Sequence, residues 1–211
     1  MPDSHPMSFS KAELTTLVMP HMQNILGDLF GGHLLSMVDQ AAAVAAIRHA
    51  GGPAVTASFD RVDFRERIKL GALVTCSATV DYVGNSSMDV SVEVHAENVA
   101  TGERRHTHTA RVVFVAIDDQ GKPRRVPRLV PETPEERERE FDRMWDVGGF
   151  DFWLANYQDM LTDREANEIC AEYLRRNPIG GSSDENANFQ LLFDKLRKYT
   201  GLVLRQVPTQ V

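Results

Sequence analysis

No run of about 18 apolar residues occurs anywhere in the chain, so no segment reads as a membrane-spanning helix. Only two cysteines are present, Cys76 in a strand-like pattern and Cys170 far along in a helix-like one. A disulfide framework is therefore excluded, and both read as small apolar residues. Basic residues are not in excess either: 23 Lys and Arg against 30 Asp and Glu give a net charge of −7. That balance argues against a general nucleic-acid or anionic-membrane surface. The first ten residues carry Asp3 and His5 and lack a basic start followed by an apolar stretch, so they do not read as a secretory signal. A cytoplasmic location is the expectation.

What is present fits a globular protein. Hydrophobic residues make up 42% and charged residues 25% of 211 positions, enough for one core plus an appendage. The acidity is uneven: residues 1–131 hold 13 basic and 14 acidic side chains, and residues 132–211 hold 10 and 16. An anionic ligand is thus compatible with the first part of the chain.

From Gly32 to Ala50 helix formers run without interruption, beginning after a glycine pair and ending at Gly51-Gly52-Pro53, a stop signal. This predicts one long helix. Its middle, Ala41 to Ala46, is small enough for a sheet to approach the axis closely. Period-two patterns follow over Val74–Tyr82, Met88–Glu97 and Arg104–Ile117, with turns at Gly84-Asn85 and Thr101-Gly102, and a less regular run covers Ala54–Phe64. The expectation is an α+β fold: a leading loop, a long helix, then four consecutive strands in an antiparallel sheet. Four prolines between 123 and 134 read as an extended linker, and helices are expected over Glu135–Trp145, Thr162–Asn177 and Glu185–Tyr199. The division is a 1–13 arm, a 14–128 domain, a 129–134 linker and a 135–211 helical extension.

Asp39 is the most informative residue, because it lies mid-helix between Met37-Val38 and the alanine run, where a carboxylate would lose water. A place on the solvent face of an amphipathic helix is the alternative. At the helix start, Gly31 and Gly32 leave backbone N–H groups open to a ligand and the helix dipole favours negative charge, which suits a developing oxyanion. Asp39, two turns on, is placed to act as general base or as nucleophile.

The segment Pro20-His21-Met22-Gln23-Asn24-Ile25-Leu26-Gly27-Asp28-Leu29-Phe30-Gly31-Gly32, followed by Met37-Val38-Asp39-Gln40-Ala41-Ala42, closely resembles the acyl-CoA hydrolase family of hotdog-fold thioesterases. Val55-Thr56-Ala57-Ser58, Val62-Asp63-Phe64, Gly84-Asn85-Ser86-Ser87-Met88, Thr101-Gly102-Glu103 and Phe114-Val115-Ala116 resemble later landmarks in the same order, so the likeness covers residues 14–128. It implies a hotdog fold, a long central helix wrapped by an antiparallel sheet. It also implies a homodimer, or a trimer of dimers, that hydrolyses acyl-CoA to fatty acid and CoA without a cofactor. By motif position, Asn24 would hold the thioester or water in one subunit and Asp39 would come from the other. The Gly32 N–H would polarise the carbonyl, beside Gly31, and Thr56, Ser86 and Ser87 would lie near the pocket.

Three positions depart from the family pattern: Asn85 stands for Arg, Arg67 for Pro and Ala72 for Asp. The first removes a guanidinium able to pair with phosphate bidentately. Arg61 and Arg65 are the favoured candidates for the CoA phosphates, ahead of Arg67, Lys69, Arg104-Arg105 and Arg124-Arg125. His106 and His108, two apart in a strand, share a face, but no third ligand is evident and no metal is expected. The aromatic group Trp145, Phe150, Phe152, Trp153 and Tyr157 reads as a packing face. Two rivals to the hydrolase are a silent acyl-CoA sensor signalling through the tail and a hotdog hydratase, which would need a different Asp/His motif.

Overall fold

The computed structural model describes residues 4–146. The expected helices over Thr162–Asn177 and Glu185–Tyr199, Cys170 and the aromatic group from Phe150 to Tyr157 lie outside them. The central element is helix α2, Gly31–Ala50, preceded by β1 (Ser4–Pro6), the short α1 (Met7–Ser10), β2 (Ala12–Leu17) and a single 3-10 turn at Pro20–Met22. Gly51 ends α2 at φ +63°, and its N–H bonds back to Arg48 O, the left-handed stop that glycine adopts without a Cβ penalty.

Strands β3 (Ala54–Phe64), β4 (Ala72–Val83), β5 (Ser87–Asn98) and β6 (Glu103–Ala116) follow. Every pair in the main sheet is antiparallel, in the order β2-β4-β5-β6-β3. The sheet curls around α2 so that Val74, Cys76, Ala78, Val80, Met88, Val90, Val92, Val94, Ala110, Val112, Phe114 and Ala116 bury one face against Leu34, Val38, Ala41, Ala42, Ala45 and Ala46. The alanines let strand side chains reach the helix backbone, so the core is close-packed although its helical side is small. Burial pushes the Cys76 thiol up to about 12, which leaves it inert.

Among the described residues the sheet has five strands rather than four, because residues 12–17, expected as loop, form β2 against β4. Residues 4–10 also pack on the fold. Met7 is fully buried, and the Ser10 hydroxyl donates to Met7 O (3.0 Å) and accepts from Val80 N (3.1 Å), beside the bulge that separates Val80 from Tyr82. Within the proline-rich stretch, β7 (Arg128–Val130) pairs in parallel with β1.

Helix α3, Pro134–Asp146, starts with Thr133, whose hydroxyl accepts from Glu136 N at 3.2 Å, and with Pro134 in the first turn. Its basic residues meet carboxylates on the sheet face turned away from α2. Arg139 pairs with Asp81 at 3.5 Å, and the buried Arg143 reaches Asp89 (2.8 and 2.5 Å) and Asp60 (2.9 Å). Burial raises the Asp81 and Asp89 carboxyls, while Arg143 opposes the rise at Asp89.

Candidate active site

The loop before α2 is shaped by Asn24. Its Oδ1 accepts from Leu26 N (2.8 Å) and Asp28 N (3.2 Å), its own N–H donates to Asp28 O (2.8 Å), and Gly27 turns the chain at φ +77°. The buried Asp28 is held by Lys69 at 2.5 Å and Arg67 at 3.7 Å. The loop therefore delivers the chain to the helix start in one fixed direction.

At that start the Phe30 carbonyl accepts from His33 N and Leu34 N, and no side chain among the described residues caps the helix. The Gly31 and Gly32 N–H groups point out of the first turn with the positive end of the helix dipole behind them. A Cβ on Gly32 would come within 2.5 Å of the Phe30 ring, and one on Gly31 within 3.6 Å of Phe64. Gly32 thus has no room for a side chain because the Phe30 ring fills that space, whereas Gly31 lets a ligand approach the backbone.

A cavity of about 420 Å³ opens at this point, lined by Asn24, Gly31, Leu34, Phe64, Arg65 and His108 among others. Arg65 and Arg67 lie on its wall, whereas Arg61 does not and instead pairs with Asp63 at 3.1 Å. Arg65 shares that carboxylate at 3.7 Å.

Asp39 lies eight residues beyond Gly31, about 12 Å along the helix. It is half-buried on the flank facing β3, which resolves the choice between core and solvent face: it stands between them. Thr56 Oγ1 donates to Asp39 Oδ1 at 2.7 Å, fixing the carboxylate's rotamer. Thr56 faces the helix because it pairs with Phe114, whose ring is in the core.

Ser86 lies in the turn between β4 and β5 and Ser87 opens β5, and their carbonyls accept from Ala116 N and Gly84 N, both at 2.9 Å. Ser87 stands opposite Val115, which stands opposite Val55, so the two serines share Thr56's end of the sheet. They do not line the cavity at Asn24. Within one chain the candidate residues thus fall into two groups, Asn24 with Gly31, Gly32 and Arg65, and Asp39 with Thr56.

One expectation is corrected. His106 and His108 do not share a face, because a bulge between Val94 and His95 places His106 opposite His95 and His108 opposite Val94. His106 meets His95 with ring centroids 5.3 Å apart on the outer side, and His108 turns inward to the cavity. Spacing singled out His108 only as a partner of His106, and neither it nor Phe64 was expected on the cavity wall. Only the pairing of β6 with both neighbours brings them together.

Comparison with known proteins matches residues 26–103 to the thioesterase superfamily. The chain is 44% identical over 135 residues to an uncharacterized acyl-CoA thioester hydrolase of Bacillus subtilis, covering 64% of this chain and 78% of that one. Among solved structures, the acyl-CoA hydrolase of Staphylococcus aureus, in complex with butyryl-CoA and CoA, is 36% identical with a TM-score of 0.65, over 69% of this chain and 88% of that one. A hexameric acyl-CoA thioesterase in its apo form is 38% identical with the same TM-score, over 69% and 92%. The chain spans about a third of the mammalian cytosolic acyl-CoA hydrolases it matches, 37% of the mouse protein.

Proposed function

The chain belongs to the acyl-CoA thioesterase family of the hotdog-fold superfamily, and from that premise we propose that it hydrolyses acyl-CoA thioesters to a free fatty acid and CoA. The observation that carries this reading is the Thr56–Asp39 hydrogen bond beside a helix whose start has no side-chain cap and whose first residue, Gly31, lines a cavity. The hydroxyl holds the carboxylate in one orientation, so it can take a proton from water or attack the carbonyl carbon itself without reorganising.

In the water route, the water oxygen bonds to the thioester carbon, Asp39 accepts the proton, and negative charge gathers on the carbonyl oxygen. The Gly31 and Gly32 N–H groups are already oriented toward that charge, and the Asn24 amide donates beside them. Collapse of the tetrahedral species breaks the C–S bond and releases CoA as thiolate, which takes up the proton. Arg65, on the cavity wall, suits the phosphates of the nucleotide arm.

The two groups are about 12 Å apart along one helix, so we place Asn24 and the helix start of one protomer against Asp39 and Thr56 of another. Among the described residues strand β3 ends the sheet and pairs only with β6, and its helix-facing Phe59 is 40% exposed. A second copy laid along β3 would cover both. A dimer, or the hexamer its solved relative forms, supplies the site in this reading. Solved structures of the Staphylococcus aureus hydrolase include alanine variants at an asparagine, an aspartate and a threonine, spaced by 15 and 17 residues. Those are the intervals between Asn24, Asp39 and Thr56. A cytoplasmic location is part of the proposal.

CoA release from a panel of acyl-CoAs tests it. Asp39→Ala should abolish turnover, and Thr56→Val should lower kcat about tenfold with little change in KM, as expected when a positioned catalytic group loses its anchor. Undiminished turnover in Asp39→Ala contradicts the mechanism. Tight binding without turnover by the wild type would favour an acyl-CoA sensor instead.

A further inference from the structure

The cavity wall carries a buried imidazole that hydrolysis does not use. His108 projects from β6 toward α2, opposite Phe64 on β3, with the two rings edge to face and their centroids 5.3 Å apart. It is 4% exposed and lines the cavity, and its enclosed Nδ1 has no hydrogen-bond partner among the described residues. Burial holds the imidazole below the ordinary histidine range; His106 lowers it further and Glu66 acts against this, so the ring is neutral with one donor and one acceptor nitrogen. The torsion that turns the ring is two-fold, so half a turn presents either edge to the cavity.

A buried polar nitrogen left unmet is costly, and the side chains nearest the helix start, Leu26, Leu29, Leu34 and Phe64, offer it nothing. From Gly31, His108 lies one ring beyond Phe64, since a Cβ on Gly31 would touch Phe64 at 3.6 Å and His108 packs on that same ring. A group meeting His108 is therefore a few carbons past a carbonyl held at the helix start. An alkyl chain would leave the imidazole unmet, whereas a hydroxyl or keto oxygen would satisfy it.

We propose that His108 is a specificity-determining residue that selects acyl groups carrying a hydroxyl or keto oxygen a few carbons beyond the thioester carbonyl over plain alkyl chains. This rests on the hydrolase reading. The test is kcat/KM for butyryl-CoA against 3-hydroxybutyryl-CoA, and for octanoyl-CoA against 3-hydroxyoctanoyl-CoA, with wild type, His108→Leu and His108→Asn.

The wild type should favour the hydroxylated member of at least one pair about tenfold, the discrimination one unmet buried hydrogen bond supplies. His108→Leu should bring that ratio to about one, and His108→Asn, which keeps a donor and an acceptor, should retain part of it. A wild-type ratio near one in both pairs overturns the proposal even if the leucine variant fails to fold. So does a leucine variant that loses both members of a pair equally, which would set His108 against the pantetheine arm. Absence of CoA release from every substrate overturns the hydrolase reading instead, and the ratio is then read from calorimetric Kd values, where a value near one again rejects the inference.

Discussion

Asn24 carries two duties on one amide, and they can be separated. Its Oδ1 ties the loop by accepting from Leu26 N and Asp28 N, while the NH2 group is the part proposed to meet substrate. Asn24→Ala should cost about 1–2 kcal/mol of stability from the lost acceptor as well as activity. Asn24→Asp keeps an acceptor oxygen, so its thermal midpoint should stay near wild type while kcat falls about a hundredfold for want of the donor. Parallel melting and kinetic measurements on the two variants decide this; an Asp variant as active as wild type would confine Asn24 to the loop. The residue types and their order along the chain were legible in the sequence, through the Gly31-Gly32 helix start and the mid-helix Asp39. The Thr56 hydrogen bond to Asp39 was not, because it joins a strand to a helix and leaves no periodic trace.

At the scale of elements, α2 was readable from its alanine run and its Gly51-Gly52-Pro53 stop, and β4, β5 and β6 from their alternation. Strand β2 was not, since Ala12–Leu17 has no turn signal before it and its partner β4 lies some 60 residues away. The bulge that parts His106 from His108 arises from pairing and is invisible to period-two reasoning. Nor does the sequence show that α3 brings a buried guanidinium to Asp89 and Asp60. Arg143→Met leaves those carboxylates without their counter-charge and should destabilise the fold by about 3 kcal/mol in denaturant titrations. Adding Asp89→Asn should recover part of the loss.

The last turn of α2 is anchored by His49, whose Nε2 lies 3.0 Å from Pro127 O in the proline-rich stretch. Burial lowers its pKa to about 4, the bond to Pro127 works against this, and His5 lowers it further. A histidine depressed in the folded state binds its proton more readily when unfolded, so its stabilising contribution is complete above about pH 6.5 and is lost as pH falls toward 4. The span corresponds to about 3 kcal/mol at most. Denaturation midpoints measured across that window should fall more steeply for wild type than for His49→Gln, whose amide can donate to Pro127 without titrating. Equal slopes would contradict it.

At the scale of the whole molecule, the described residues of a single copy expose apolar side chains beside the proposed chemistry. Val44 and Ile47 on α2 and Phe59 on β3 are 48%, 44% and 40% exposed, and these are the elements that bear Asp39 and Thr56. A site that draws Asn24 from one protomer and Asp39 from the other would join that face to the chemistry. Co-expression of Asn24→Ala with Asp39→Ala, each inactive alone, tests this most directly through CoA release. If sites are shared, each mixed dimer keeps one site with both residues intact, and random pairing should restore about a quarter of wild-type turnover. No recovery, with both variants folded and mixed dimers present, would contradict it.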